Sequence, residues 1–191
     1  QPVSEVAWPH PQVPYAVSKL AAEHYVFALG GLYGITTVAL RIFNAYGPGQ
    51  RVPPVHAPVI PHFVRSLLSG ASLVIHGDGR QTRDFVYIDD VVDALVAAAD
   101  ADSVDKTVIN VGSGEETSLD DLVNALAALT ERRPEVIHNQ QLGGGLPRLV
   151  ADLQLARRLL GYKPRVGLRD GLRRLLDEEW RLASQRSGGR L

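Results

Sequence analysis

The chain has no cysteine and no methionine among its 191 residues. Without cysteine there is no disulfide framework, no thiolate metal site and no cysteine nucleophile. Without methionine, Gln1 is not expected to be a natural translation start. The opening Gln1-Pro-Val-Ser-Glu-Val-Ala-Trp-Pro-His-Pro11 is proline-rich and non-periodic, so it reads as a loop inside a longer protein. An excess of either charge is also missing. A net charge of -1 and a pI near 6.7 leave no electrostatic footprint for nucleic acid or an anionic membrane. No apolar run approaches the roughly 20 residues of a membrane span, and no signal-peptide pattern opens the chain. A soluble, cytoplasmic protein is expected. The six histidines show no ligand spacing, and no metal is expected.

Lysine is scarce, occurring only at Lys19, Lys106 and Lys163. One of the three lies in Pro14-Tyr-Ala-Val-Ser-Lys19, which places a phenol and an ammonium four residues apart on one face of a helix. A free phenol ionises near pH ~10, and bringing that to about 7 requires roughly 4 kcal/mol of differential stabilisation of the phenolate. A neighbouring ammonium supplies part of it, and a cationic cofactor could supply more. The same spacing also suits an ordinary amphipathic helix with an exposed lysine, so it gains force only from its surroundings.

Helical and strand periods alternate along the chain. Helical spacing runs from Val13 to about Leu32 and stops at Gly34. Residues 36–43 are β-branched and apolar, as in a strand buried on both faces. A loop carrying four prolines and two glycines is expected from Asn44 to about Pro58. A short helix over 60–69 closes at Gly70. Leu73–His76 and Phe85–Ile88 read as short strands around the tight turn Gly77-Asp-Gly79. Asp89 or Asp90 is expected to cap a helix reaching Ala99, and Ser118 one reaching Thr130. Strands are expected at 107–111 and 136–138, helices at 152–160 and 168–182, and a disordered tail from Ser187. The order argues for an α/β fold with a parallel sheet whose first strands lie upstream of Gln1.

Several segments together resemble the extended short-chain dehydrogenase/reductases, in particular the NAD-dependent nucleotide-sugar epimerase/dehydratase family. Pro14-Tyr-Ala-Val-Ser-Lys19 with Ala22-Glu23 resembles the catalytic helix. Leu40-Arg-Ile-Phe-Asn-Ala-Tyr-Gly-Pro48 resembles the strand and loop that follow it. Gly77-Asp-Gly-Arg-Gln-Thr-Arg-Asp-Phe-Val-Tyr-Ile-Asp-Asp90 resembles the most diagnostic segment. Asn110-Val-Gly-Ser-Gly114, Ala151-Asp152 and Leu159-Leu-Gly-Tyr162 resemble later landmarks, all in the family's order.

The resemblance covers nearly the whole chain and implies the C-terminal part of a Rossmann-like, doubly wound parallel sheet plus a small α/β substrate-binding lobe. The Rossmann segments would be about 13–43 and 89–112, and the lobe about 44–88 and 113–185, with the Gly-rich NAD-binding half absent. The implied activity is UDP-hexose or UDP-hexuronate 4-epimerisation with bound NAD. A 4,6-dehydratase, a decarboxylase or a non-catalytic nucleotide-sugar-binding remnant are the alternatives. Without the upstream half the chain itself would neither hold NAD well nor turn over.

Tyr15 would be the general base and Lys19 the residue that bonds the nicotinamide ribose and lowers the phenol's pKa, with Phe43 near the nicotinamide. Asn44 and Arg83 would meet the sugar or diphosphate, and Val59 and His76 the nucleotide side. Plain structural roles stay open for them: a capping asparagine, a surface arginine, a core phenylalanine. Asp84, Asp89, Asp90, Asn110 and Gly112-Ser-Gly114 read as turn and cap formers. One departure stands out. The Arg-x-Gly-Asp run that family members often carry before Ala-Asp is here Leu142-Gly-Gly-Gly145, leaving Arg148 as a substitute for its phosphate contact. The resemblance also implies a homodimer formed through the tyrosine-bearing helix.

Overall fold

The structure is a computed structural model that describes residues 1–53, 57–141 and 145–188, with the side chains of the last helix described as far as Trp180. It begins, after a single bridge between Val3 and Ala151, with helix α1 (Pro14–Tyr33). Proline at the first helical position, where no N–H is needed, and Gly34 in the left-handed region (φ 66) mark its ends. Strands β1 (Val38–Ile42) and β2 (Asn44–Tyr46) follow, then α2 (Val59–Ser69), closed by left-handed Gly70. Next come β3 (Leu73–His76), β4 (Thr82–Arg83), β5 (Phe85–Tyr87) and α3 (Ile88–Asp100). Then come β6 (Thr107–Val111), β7 (Thr117–Ser118), α4 (Leu119–Thr130) and β8 (Val136–Asn139). The last elements are β9 (Arg148–Leu149), α5 (Gln154–Leu160) and α6 (Leu168–Gly188).

Strand pairing is mostly parallel: β1 with β6, β2 with β5, β3 with β8, and β4 with β9. The exception is β4 with β7, which is antiparallel. Parallel neighbours joined by helices make this an α/β fold, as expected.

The apolar interior forms two clusters. One gathers Ile60 and Phe63 of α2, Leu73 and Ile75 of β3, Leu122 and Leu126 of α4, and Leu172 and Leu175 of α6. The other gathers Val91 and Ala94 of α3, Ile109 and Val111 of β6, Ala156 of α5, and Tyr162. Strand β5 serves both through its period of two: Phe85 and Tyr87 face the first cluster and Val86 the second.

Several expectations are corrected. Residues 44–46 are not loop but strand β2, because their backbone pairs with β5. The rest of that loop includes residues 54–56, which lie outside the described residues. Strands β3 and β5 do not pair around the Gly77–Gly79 turn; each finds a partner far along the chain. Strand β1 is not buried on both faces: its residues are half-buried and Ile42 is 42 % exposed. Asp89 and Asp90 cap nothing. The residue before α3 is Tyr87, without a side-chain cap, and buried Asp90 instead accepts hydrogen bonds from the N–H groups of Arg165 and Val166. Ser118 caps α4 as expected, its Oγ accepting from the Asp121 N–H at 3.0 Å. Helix α6 runs through Ser187 and Gly188, where a disordered tail was expected; residues 189–191 lie outside the described residues.

Candidate active site

In α1, positions 15, 19 and 23 fall at i, i+4 and i+8, so Tyr15, Lys19 and Glu23 share one face. That face looks toward β1 across an open groove of about 680 Å³, lined also by Pro9, His10 and Arg41. Tyr15 is 71 % exposed, and the Lys19 ammonium lies 5.5 Å from its ring centroid, within cation–π range. Ser18 fastens the backbone beside it, its Oγ donating to the Tyr15 carbonyl at 2.8 Å. Of the site residues expected from the sequence, only Tyr15 and Lys19 line this groove. Its floor and far wall hold an ion pair that sequence reasoning missed. Arg41 donates from Nε to Glu23 Oε2 at 2.9 Å and from Nη2 to Oε1 at 2.8 Å. The available signal was a lone arginine inside an otherwise apolar strand.

The other expected residues lie at strand ends and helix starts. Phe43 follows β1, donates its N–H to the Val111 carbonyl at 2.8 Å and packs against the second apolar cluster. Asn44 opens β2, its N–H donating to the Asp84 carbonyl at 3.0 Å; its side-chain amide has no hydrogen bond among the described residues. Val59 opens α2 and packs on the first cluster. His76 closes β3 with an exposed ring, and its carbonyl accepts from Gln81 Nε2. The half-buried Arg83 donates from Nη1 to the carbonyls of Thr82 (2.7 Å) and Leu146 (2.8 Å), and burial lowers its pKa.

Arg148 does not converge with Arg83. Arg148 sits opposite Thr82 and Arg83 opposite Leu149, and strand alternation sends the two guanidiniums to opposite faces. Arg148 is bound instead to Glu116, with Nε and Nη2 each 2.8 Å from Oε2, and Thr82 Oγ1 donates to the same carboxylate at 2.7 Å. These hydrogen bonds hold Glu116 down to a pKa of about 2. The Leu142-Gly-Gly-Gly145 segment falls at residues 142–144 outside the described residues.

Asp84 and Asn110, read as turn formers, are buried hubs. Fully buried Asp84 accepts from the N–H groups of Ser113 (2.6 Å), Gly114 (3.0 Å) and Ala151 (3.0 Å), and from Ser113 Oγ (2.7 Å). A Cβ on Gly112 would lie 2.5 Å from Asp84 Oδ2, so the Gly112-Ser-Gly114 turn cradles a carboxylate of its own chain. Asn110 lies within β6 and ties down the N-terminal segment: its Nδ2 donates to the Val3 carbonyl at 3.0 Å and its N–H to Glu5 Oε1 at 2.9 Å. Among the described residues no group of three or more His, Asp or Glu could hold a metal ion, and no helix is long and apolar enough to cross a membrane.

The model of the NAD dependent epimerase/dehydratase family matches residues 1–112. The UDP-glucose 4-epimerase of Mycolicibacterium smegmatis is 36% identical over 176 residues, covering 92% of this chain and 56% of that protein. A UDP-N-acetyl-alpha-D-glucosaminuronate decarboxylase of Bacillus cytotoxicus is 37% identical over 136 residues, covering 71% of this chain and 40% of the relative. Among solved structures, the UDP-glucuronic acid 4-epimerase of Bacillus cereus in complex with UDP-glucuronic acid and NAD superposes with a TM-score of 0.87 at 35% identity. It is matched over 95% of this chain and 57% of its own. The chain thus spans about half the length of the relatives it matches. A family model over residues 1–112 and a relative 36% identical over 92% of the chain lead to one conclusion: the chain belongs to the NAD-dependent epimerase/dehydratase family, with that family's Rossmann-type α/β fold.

Proposed function

We propose that this chain is the portion of a nucleotide-sugar 4-epimerase that carries the catalytic tyrosine and the substrate side, acting on a UDP-hexose or UDP-hexuronate. The observation that carries the reading is the Tyr15–Lys19 pair: an exposed phenol with an ammonium 5.5 Å from its ring, both on the wall of an open groove. Lys19, which makes no ion pair among the described residues, is suited to bond the hydroxyls of a nicotinamide ribose. NAD, when bound, would supply the hydride acceptor that regenerates within one catalytic cycle.

Tyr15 takes the proton of the sugar's C4 hydroxyl as that carbon is oxidised to a ketone, and returns a proton to the oxygen when the opposite face is reduced. Lys19 stabilises the phenolate between the two transfers through its positive charge. Asn44, with a free side-chain amide at a strand end, and Arg83, whose guanidinium stands at β4, would hold the sugar and diphosphate. Arg148, committed to Glu116 on the other face, has no part in this proposal. The similar decarboxylase supports a second reading, loss of CO₂ from a UDP-hexuronate after the same C4 oxidation.

Both readings are tested by giving the natural gene product UDP-glucose or UDP-glucuronic acid with NAD. The C4 epimer is expected; a UDP-pentose with released CO₂ would move the assignment to decarboxylase. Tyr15→Phe is expected to cut turnover by roughly 10²–10⁴-fold while changing UDP-sugar affinity only a few-fold. Unchanged turnover in that variant would overturn the role of Tyr15.

A further inference from the structure

Arg41 is a cation within the apolar run Val38-Ala-Leu-Arg-Ile-Phe43, and its guanidinium fork takes both oxygens of Glu23. The two side chains are 29% and 13% exposed, so this is a largely dry, bidentate pair, and not one of the surface contacts that contribute little. A further N–H of Arg41 reaches the Glu5 carbonyl at 3.3 Å, which anchors the fork from the N-terminal segment.

Glu23 lies four residues beyond Lys19, a spacing at which a lysine and a carboxylate on a helix reach each other. Yet the Lys19 ammonium sits over Tyr15 and makes no ion pair among the described residues. The charged and titratable groups lining the groove are His10 from the N-terminal segment, Tyr15, Lys19 and Glu23 from α1, and Arg41 from β1. Glu23 is the one carboxylate among them, and Arg41 occupies it.

We propose that Arg41 is a positioning residue: by binding Glu23 it prevents that carboxylate from capturing Lys19, and so keeps the ammonium available to Tyr15. The inference rests on the reading of Tyr15 and Lys19 as base and activator. Without Arg41, a mostly buried carboxylate loses its partner, and the nearest cation on its helical face is Lys19.

The scarcity of lysine makes a direct test practical. Reductive ¹³C-methylation keeps each lysine charged, and the Lys19 signal can be assigned against Lys106 and Lys163 with Lys19→Arg. In the parent the Lys19 signal is expected to stay flat as carboxylates protonate below about pH 6. In Arg41→Met it moves over that range, and in Arg41→Met/Glu23→Gln it is flat again. Turnover falls about tenfold in the single variant and recovers to within about threefold of the parent in the double. A folded Arg41→Met whose Lys19 signal matches the parent's would overturn the proposal. Should the single variant fail to fold, the double lacks both charges and is the one to measure. A folded double with a tenfold or greater loss would show that Arg41 acts in some other way. The two readings fail separately. Full activity in Tyr15→Phe would remove the base while leaving the Lys19 signals as described; a static Lys19 signal in Arg41→Met would remove the positioning role while leaving Tyr15 in place.

Discussion

Helix α4 buries Leu122, Val123 and Leu126 within 12 residues, whereas α1 buries only Gly30 within 20. The difference extends to their surroundings. Around α2, α4 and α6 the side chains of Phe63, Leu122, Leu126, Leu172 and Leu175 are almost wholly removed from water, each contributing about 1.5–3 kcal/mol of transfer free energy. Along α1, Tyr15, Tyr25, Leu32 and Tyr33 are all about 70% exposed or more (71%, 69%, 72% and 69%). Helix α1 meets β1 through the Arg41–Glu23 fork, and Gly30 closely approaches the residue before the strand, where a Cβ would lie 2.5 Å from Thr37 Cγ2. Within this segment, Tyr15 and Lys19 lie outside the two apolar clusters. The chain spans about half the length of the relatives it matches, and the exposure of α1 is that of this segment alone.

The sharpest way to break this comparison is to truncate one aromatic on each side. Phe63→Ala is expected to lower unfolding free energy by about 3–5 kcal/mol in urea titrations, because it empties the first apolar cluster. Tyr25→Ala, on the open face of α1, is expected to change it by no more than about 0.5 kcal/mol. Equal losses would mean that α1 is held by packing that its exposure does not suggest.

A smaller effect sharpens the same contrast. Gly171 stands within α6, where alanine would ordinarily favour the helix by about 1 kcal/mol. Its missing Cβ, however, leaves room for two rings: a Cβ there would lie 2.9 Å from both Tyr46 Cζ and Tyr87 Cδ2. Those rings meet edge to face at 5.5 Å, and Tyr46 Oη donates to the Leu168 carbonyl at 3.3 Å, so neither yields easily. Overpacking of about 1–3 kcal/mol should outweigh the propensity gain, making Gly171→Ala net destabilising by thermal melting. A rise in melting temperature would contradict that packing.

The smallest effect is electrostatic. Glu116 has a pKa of about 2 against an ordinary 4.5, chiefly because Arg148 and then Thr82 donate to its carboxylate. A depressed native value adds stability above about 4.5 that is lost as pH falls toward 2. Glu116→Gln should therefore melt below the parent at neutral pH, and the gap should close across that acid range. The group is exposed, so added salt should shrink the gap throughout. A gap independent of both pH and salt would mean that Glu116 acts through packing alone.

Local signals in the sequence are legible where they are self-contained. Gly34 and Gly70 end helices because only their own backbone must turn left-handed, and Ser118 caps α4 through a bond spanning three residues. The Tyr15–Lys19 pair was legible for the same reason: helical spacing alone brings the two together. Residues whose role depends on distant partners were not legible. Asp90 reads as a cap but reaches residues 165 and 166; Asn110 reads as a turn but holds Val3 and Glu5. Asp84 sits in a turn-like context, and its four donors come from residues 113, 114 and 151. Strand β2 reads as loop because three residues between a strand and a proline-rich stretch carry no period of their own; β5 makes them a strand. Arg148 could be placed near a phosphate in sequence only because the alternation of β9 against β4, and the claim of Glu116, lie outside the primary structure.

The most direct test of the central claim is to supply UDP-glucose deuterated at C4, with NAD, to the natural gene product and to its Tyr15→Phe variant. The expected result is the C4 epimer with deuterium still at C4 from the parent, and almost no product from the variant. Transfer of the label to C6, its loss to solvent, or equal conversion by Tyr15→Phe would contradict a transient C4 oxidation in which Tyr15 carries the proton.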